Sequence, residues 1–207
     1  MGIKVNQETL QMIADLSNAR GASGFEDETV QAAAKHIGEG YTTEEDCLRN
    51  FYMYRTANSG NKPVFMLDAH SDEVGFMVHS IRPNGTLRFV ALGGWNVGSL
   101  ASSKVLVRNS EGKYLPGVIA AKPVHFMSAS EKASAGAADI SSLSIDIGAV
   151  SAKDAAENFK IRIGEPVVPD VTLEYDEEHD LMFGKAFDCR IGCAALIETL
   201  RRLRDEK

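Results

Sequence analysis

The 207-residue chain carries a formal net charge of −7, with 44% hydrophobic and 25% charged residues. That length suits one ordinary domain or two small ones, and the apolar share is enough for a real core. The acidic balance argues against nucleic acid and anionic membrane as main partners, because both select a basic face.

The start, MGIKVNQETLQMIADL, lacks the basic and apolar regions of a signal peptide. Gly2 is not followed by a Ser or Thr at the sixth position, so myristoylation is unsupported. No apolar run approaches the ~18–20 residues that span a bilayer. Cys47, Cys189 and Cys193 form no disulfide framework and fit a reducing compartment. The expectation is a soluble, cytoplasmic chain.

Residues 7–18 carry Leu10, Ile13, Ala14 and Leu16 at helical spacing, ending in the loop RGASGF. A second helix is predicted over residues 26–37, with acidic side chains favouring the dipole at its first turn. CLRNFYMYRT and KPVFMLDAH then read as strands, the second apolar on both faces, as in a buried parallel strand.

From Val74 the pattern changes. VGFMVHSI, GTLRFVAL, KVLVRN and YLPGVIAA are short strand-like runs separated by PNG, GG and EGK turns, which suggests a small barrel or sandwich. LSIDIGA follows, then SAKDAAENF, a helix with Ser151 as N-cap and Asp154 three residues on. GEPVVPD reads as a turn-rich connection. LMFGKAFD resumes a strand, and RIGCAALIETLRRL is an amphipathic helix with Cys193, Leu196, Ile197, Leu200 and Leu203 on one face. The predicted fold is an α/β domain interrupted by an all-β insertion. Its segments are residues 1–73, the insertion 74–166, and a second α/β part 167–207. Only one helix follows re-entry, leaving few strands for a parallel sheet.

In LDAHSDEVGF, Asp68, His70 and Asp72 alternate, so an extended chain projects them to one face. Ligand sites of open α/β sheets lie at the carboxyl ends of strands, where these residues fall. Imidazole with carboxylates is the donor set of a hydrolytic zinc or cobalt site, and an Asp beside the His can fix its tautomer. The alternative is a strand-end histidine with solvated acids. Asp188, between strand and helix, is a candidate ligand, although residue type alone favours an N-cap there. Arg190 either pairs with an acid or is solvated.

Cys189 and Cys193 lie four apart, but no second Cys pair or neighbouring His completes a tetrahedral set, so buried reduced thiols are the favoured reading. His36 and His179 read as exposed, His79 as structural or solvated, and His125 as a weak candidate for lining a site. Trp95 reads as a loop anchor. No P-loop, G-x-G-x-x-G or G-x-S-x-G pattern is present.

In this order, GASGFE, AHSDEVGFMV, ALGG, GVIAAKPVH, IDIGA with SAKDA, and GKAFDCRIGC resemble the M42 family of metallo-aminopeptidases. That family includes glutamyl, deblocking and TET aminopeptidases, and some members have been labelled endoglucanases. The resemblance covers essentially the whole chain, and AHSDE with AFDCR is its specific part. It implies a two-metal catalytic α/β domain, incomplete here, interrupted by an inserted β-barrel dimerisation domain. His70 resembles the His that binds one metal, Asp72 the catalytic-site acid that orients it, and Asp188 the carboxylate bridging both metals. Position 189, often Asn or Asp in relatives, is Cys here.

Family members continue with a Glu-Glu pair, an Asp and a His, and this sequence ends at Lys207 before them. The resemblance therefore implies an activity of the complete protein, with this chain inactive alone. That activity is release of amino-terminal residues from short peptides by two divalent ions, zinc, cobalt or manganese. The expected assembly is a cytoplasmic homo-oligomer, a dimer or dodecamer formed through the inserted domain. Two rival readings remain: a non-catalytic assembly or peptide-binding protein, and a glycoside hydrolase, which needs a pair of carboxyl groups flanking a sugar.

Overall fold

The structure, a computed structural model, describes residues 5–58, 60–128 and 139–204. Gly2, weighed above, lies outside them. The chain first forms helices α1 (Gln7–Asn18) and α2 (Asp27–Ile37), then strands β1 (Tyr41–Glu45) and β2 (Phe51–Arg55). Next come β3 (Gly75–Ile81), β4 (Leu87–Leu92), β5 (Lys104–Arg108) and β6 (Tyr114–Ala120). They are followed by β7 (Ser144–Asp146), helix α3 (Ala152–Glu157) and β8 (Pro166–Pro169). Strands β9 (Glu174–Asp176) and β10 (Leu181–Phe183) then lead into helix α4 (Phe187–Leu203). Two compact units result, Met1–Glu73 with Val171–Lys207, and Val74–Asp170.

The first unit is built on three helices. Asn6 caps α1 by accepting the Thr9 N–H at 2.8 Å, which satisfies one of the orphan donors of a helix start. The helices meet through Met12, Leu16, Ala33, Ala194 and Ile197, with Phe51 and Met53 of β2 packed alongside. Residues three and four apart supply this core, as a helical stripe must. The stripe on α1 is rotated from the predicted one: Met12, Leu16 and Ser17 are buried, whereas Leu10, Ile13 and Ala14 are only half-buried. On α4 the predicted Leu203 is 44% exposed. Strands β1 and β2 form an antiparallel pair, Tyr41 opposite Arg55, and β9 pairs with β10.

The second unit is a closed barrel in the order β3-β4-β7-β6-β5-β8, in which β8 joins β3 to β5. Inward positions alternate along the strands, as closure requires. Phe76, Val78, Leu87, Phe89, Val105, Val107, Ile119, Ile145 and Val167 form its core. Phe76 meets Phe89 edge-on, with ring centres 4.9 Å apart. Trp95 stacks on Phe76 at 4.6 Å and donates its indole N–H to the Gly75 carbonyl at 3.0 Å. It therefore anchors its loop to the barrel. Ser151 caps α3 by accepting the Asp154 N–H.

Three expectations are corrected. The run KPVFMLDAH is not a buried strand: residues 63–72 carry no strand, and Val64, Phe65 and Met66 are 85%, 92% and 78% exposed. A parallel strand needs hydrogen-bonding neighbours. Among the described residues the nearest such pairing comes only beyond this run, in the isolated bridge Ala22–Glu73. The segment PVVP in GEPVVPD is a strand, not a connection, with Val167 and Val168 fully buried. Its prolines stand at the strand's two ends, where a missing N–H is tolerated, so the barrel unit extends to Asp170 rather than ending at Pro166. His36 is buried, 7% exposed, because its Nε2 reaches the Asp15 carboxylate at 2.8 Å. Among the described residues, no helix is long and apolar enough to cross a membrane.

Candidate metal centre

The predicted site residues converge within the first unit. His70 Nδ1 lies 3.0 Å from Asp72 Oδ1, and His70 Nε2 lies 3.2 Å from Asp188 Oδ1. The other Asp72 oxygen accepts a hydrogen bond from the Ser23 hydroxyl. Cys189 belongs to the same cluster: ligand atoms of His70, Asp188 and Cys189 all lie within 4.8 Å of one another. Asp68 is exposed and stands outside this cluster.

The backbone at the start of α4 explains the convergence. Ala186 is in the left-handed region at φ +56°, and Asp188 and Cys189 have non-helical dihedrals. The first turn is therefore unwound, and its side chains are free to leave the helix periphery. The cap position of α4 falls on Ala186 rather than Asp188, and the Asp188 carboxylate faces His70 instead. That overturns the N-cap suggested by residue type.

A buried ion cluster fixes these two segments. Arg190 is 1% exposed and donates to the carbonyls of Ser71 (2.9 Å), Leu16 (3.0 Å), Ser17 (3.3 Å) and Ala19 (2.5 Å). Lys185 Nζ contacts both Glu73 oxygens, at 2.6 and 2.8 Å, and the Ala19 carbonyl at 3.0 Å. Glu73 also accepts the Gly21 N–H at 3.1 Å and lies 3.5 Å from Arg190. Burial pushes the Lys185 ammonium down, and the neighbouring Glu73 pulls it back up. Burial likewise lowers Arg190, opposed by Glu73. Buried charges persist only when paired in this way.

The sequence reading missed Glu73 and Lys185, and it left Arg190 as paired or solvated. The available signal was their position inside HSDE and KAFDCR, beside the ligand candidates.

The donor set fits a divalent ion. If Nδ1–H is donated to Asp72, the Nε2 lone pair and the Asp188 carboxylate are two acceptors 3.2 Å apart. Such a pair calls for a proton or a cation between them. Tetrahedral zinc with ~2.0–2.1 Å bonds places neighbouring N and O ligands ~3.3 Å apart, close to the separation found. Cys193 does not join the set. Its thiol donates to the His70 carbonyl at 3.4 Å, and burial pushes it up to about 11, so it stays protonated.

Imidazole and carboxylate brought together in this way form a donor set suited to a hydrolytic metal site. The M42 glutamyl aminopeptidase family matches residues 50–207, and the chain belongs to that family. It is 31% identical over 201 residues to the glutamyl aminopeptidase of Lactococcus lactis, covering 97% of this chain and 56% of that protein. The TET aminopeptidase structure from a marine-sediment Thaumarchaeota archaeon superposes with a TM-score of 0.88 at 32% identity, over 97% of this chain and 55% of that one. A TET peptidase of Pyrococcus horikoshii, which can assemble into a tetrahedron or a large octahedral shell, matches with TM-score 0.77 at 25% identity, over 95% of this chain and 57% of that one. The chain thus spans about half the length of the relatives it matches.

Proposed function

We propose that the protein is a two-metal aminopeptidase and that the unit holding His70 and Asp188 forms one side of its catalytic centre. The observation that carries this reading is the 3.2 Å approach of His70 Nε2 to Asp188 Oδ1, with Asp72 on the far ring nitrogen. His70 would hold one ion and Asp188, 97% exposed, would bridge to the second. Asp72 keeps the proton on Nδ1, so Nε2 is presented as a lone pair; this is the usual task of a carboxylate behind a metal-binding histidine. The bound ions, zinc, cobalt or manganese, would supply Lewis acidity toward the scissile carbonyl of an amino-terminal peptide bond. Arg190 and Lys185 hold the backbone from which the ligands project.

The inserted barrel is the unit through which we expect copies to assemble, as the family resemblance implies; the P. horikoshii relative can assemble into a tetrahedron or a large octahedral shell. Cys47, Cys189 and Cys193 are free thiols, which suits a reducing cytoplasm. A glycoside hydrolase would need carboxyl groups free to flank a sugar, whereas Asp72 and Asp188 are both engaged with His70.

Two measurements test the reading. Metal content of the purified chain, by mass spectrometry, is expected to fall on His70→Ala or Asp188→Ala. The full-length protein is expected to cleave Leu- or Glu-p-nitroanilide but not the amino-acetylated compounds. Unchanged metal content in both variants, or equal turnover of blocked and free substrates, overturns the proposal.

A further inference from the structure

The thiol of Cys189 sits where a third donor would. Its sulfur shares a 4.8 Å cluster with the ligand atoms of His70 and Asp188. In a regular helix, consecutive side chains diverge and cannot reach one point. Here both Asp188 and Cys189 depart from helical dihedrals, which removes that divergence at the two positions that supply the donors. Gly192 completes the arrangement. A Cβ built there would lie 2.6 Å from the Cys189 sulfur and 3.1 Å from the Ala69 Cβ. Any larger residue would displace the thiol from the space it occupies.

Resting on the metal-site reading above, we infer that Cys189 ligates the same ion as His70 and Asp188, giving this centre a mixed nitrogen, oxygen and sulfur donor set. Binding replaces the S–H bond with a sulfur–metal bond and releases the proton to solvent. Carboxylate and thiolate together carry two negative charges, which balance one divalent ion. A soft sulfur donor favours zinc, cobalt or cadmium over manganese and magnesium, which prefer oxygen. The centre would therefore discriminate among divalent ions by ligand softness, where an all-nitrogen-and-oxygen site discriminates less.

Anaerobic titration with Co2+ tests the inference without relying on turnover. The wild-type chain is expected to develop a near-ultraviolet sulfur-to-cobalt charge-transfer band. Cys189→Ser should lose the band, while Cys47→Ser should keep it. Zinc affinity should fall in Cys189→Ser by at least ~10-fold, the lower end of what loss of an outer partner costs a metal site, and manganese affinity should fall less. Iodoacetamide labelling of the wild-type chain, read by mass spectrometry, guards against a misfolded variant: Zn2+ should protect Cys189 and leave Cys47 reactive. Cobalt that binds with visible ligand-field bands but no charge-transfer band, or Cys189 unprotected by zinc, overturns the inference and leaves the metal site standing. Failure of the wild-type chain to bind cobalt overturns both.

Discussion

Lys185→Met removes one charge from the buried cluster while keeping most of the apolar stem. Lys185 and Glu73 side chains are 7% and 2% exposed, and their contacts at 2.6 and 2.8 Å are short charge-assisted bonds. Deleting one partner of a buried pair costs ~3–5 kcal/mol, because the other charge is left without compensation. Glu73 would retain the Gly21 N–H and a 3.5 Å contact with Arg190, which places the expected loss near the lower end, about 3 kcal/mol. The two units can be followed separately. The long helices α1, α2 and α4 belong to the unit that holds Lys185, whereas Trp95, the single tryptophan, belongs to the barrel unit. In urea, with a slope of ~1–3 kcal/mol per molar, the ellipticity midpoint should fall by about 1–3 M while the Trp95 fluorescence midpoint stays in place. The double variant Glu73→Gln/Lys185→Met should lose less than the sum of the single losses, by at least ~1 kcal/mol. An ellipticity midpoint unmoved in Lys185→Met would refute the view that this cluster holds the helical unit together.

Gly85→Ala should act on the other unit. Gly85 has φ +88°, and a Cβ there would meet the Ala149 carbonyl at 2.3 Å, so strain and overlap together should cost at least ~2 kcal/mol, read as an earlier Trp95 transition with unchanged ellipticity. Asp15 should make the helical unit acid-sensitive: burial pushes its carboxyl up, but hydrogen bonds from Lys35, His36 and Gln11 outweigh this and hold it at about 2, below the ordinary 3.8. A lowered pKa contributes stability that is present above 3.8 and lost as pH falls toward about 2; after solvent screening the loss should be about 1 kcal/mol, absent in Asp15→Asn. Asp72→Asn should weaken zinc binding ~10–100-fold by calorimetry without lowering the urea midpoints, since it disturbs the His70 tautomer rather than the ion cluster.

How much of this was legible depended on whether a residue's neighbours are local. The barrel strands were readable because short strand-like runs such as VGFMVHSI and KVLVRN are separated by turns such as PNG and EGK, although the half-buried Met77 and Leu106 between inward Phe76 and Val78, and Val105 and Val107, hide the alternation. The segment PVVP was misread because its prolines signal a turn, and only the pairing of β8 with β3 and β5 reveals a strand. The run PVFML was misread for the opposite reason. Apolar composition states what a segment would gain by burial, but not whether anything lies alongside to bury it. Arg190 was left open between pairing and solvation because a charged residue on an amphipathic helix is ordinarily solvated; its six carbonyl and carboxylate neighbours come from residues far away in sequence.

The two site motifs carry two tasks each, and that explains why they are more specific than their donor atoms alone. In HSDE, His70 faces the candidate metal position with Asp72 behind its ring, and the next residue, Glu73, turns inward to the buried cations. In KAFDCR, Asp188 and Cys189 face the same position, flanked by Lys185 and Arg190, which turn inward to Glu73 and to the carbonyl of Ser71. Each motif thus interleaves donors with the charges that fix the other motif's backbone. A ligand geometry good to a few tenths of an ångström needs such support, because flexible loops alone would let His70 and Asp188 drift apart. The support also carries a constraint on substitution. Moving either motif by one residue would exchange outward donors for inward ions and bury an unpaired charge at a cost of several kcal/mol. His-x-Asp on its own is a weak signal for a metal. His-x-Asp followed by a buried Glu whose partners flank a second carboxylate is a strong one, since a solvated surface cluster has no use for the buried half.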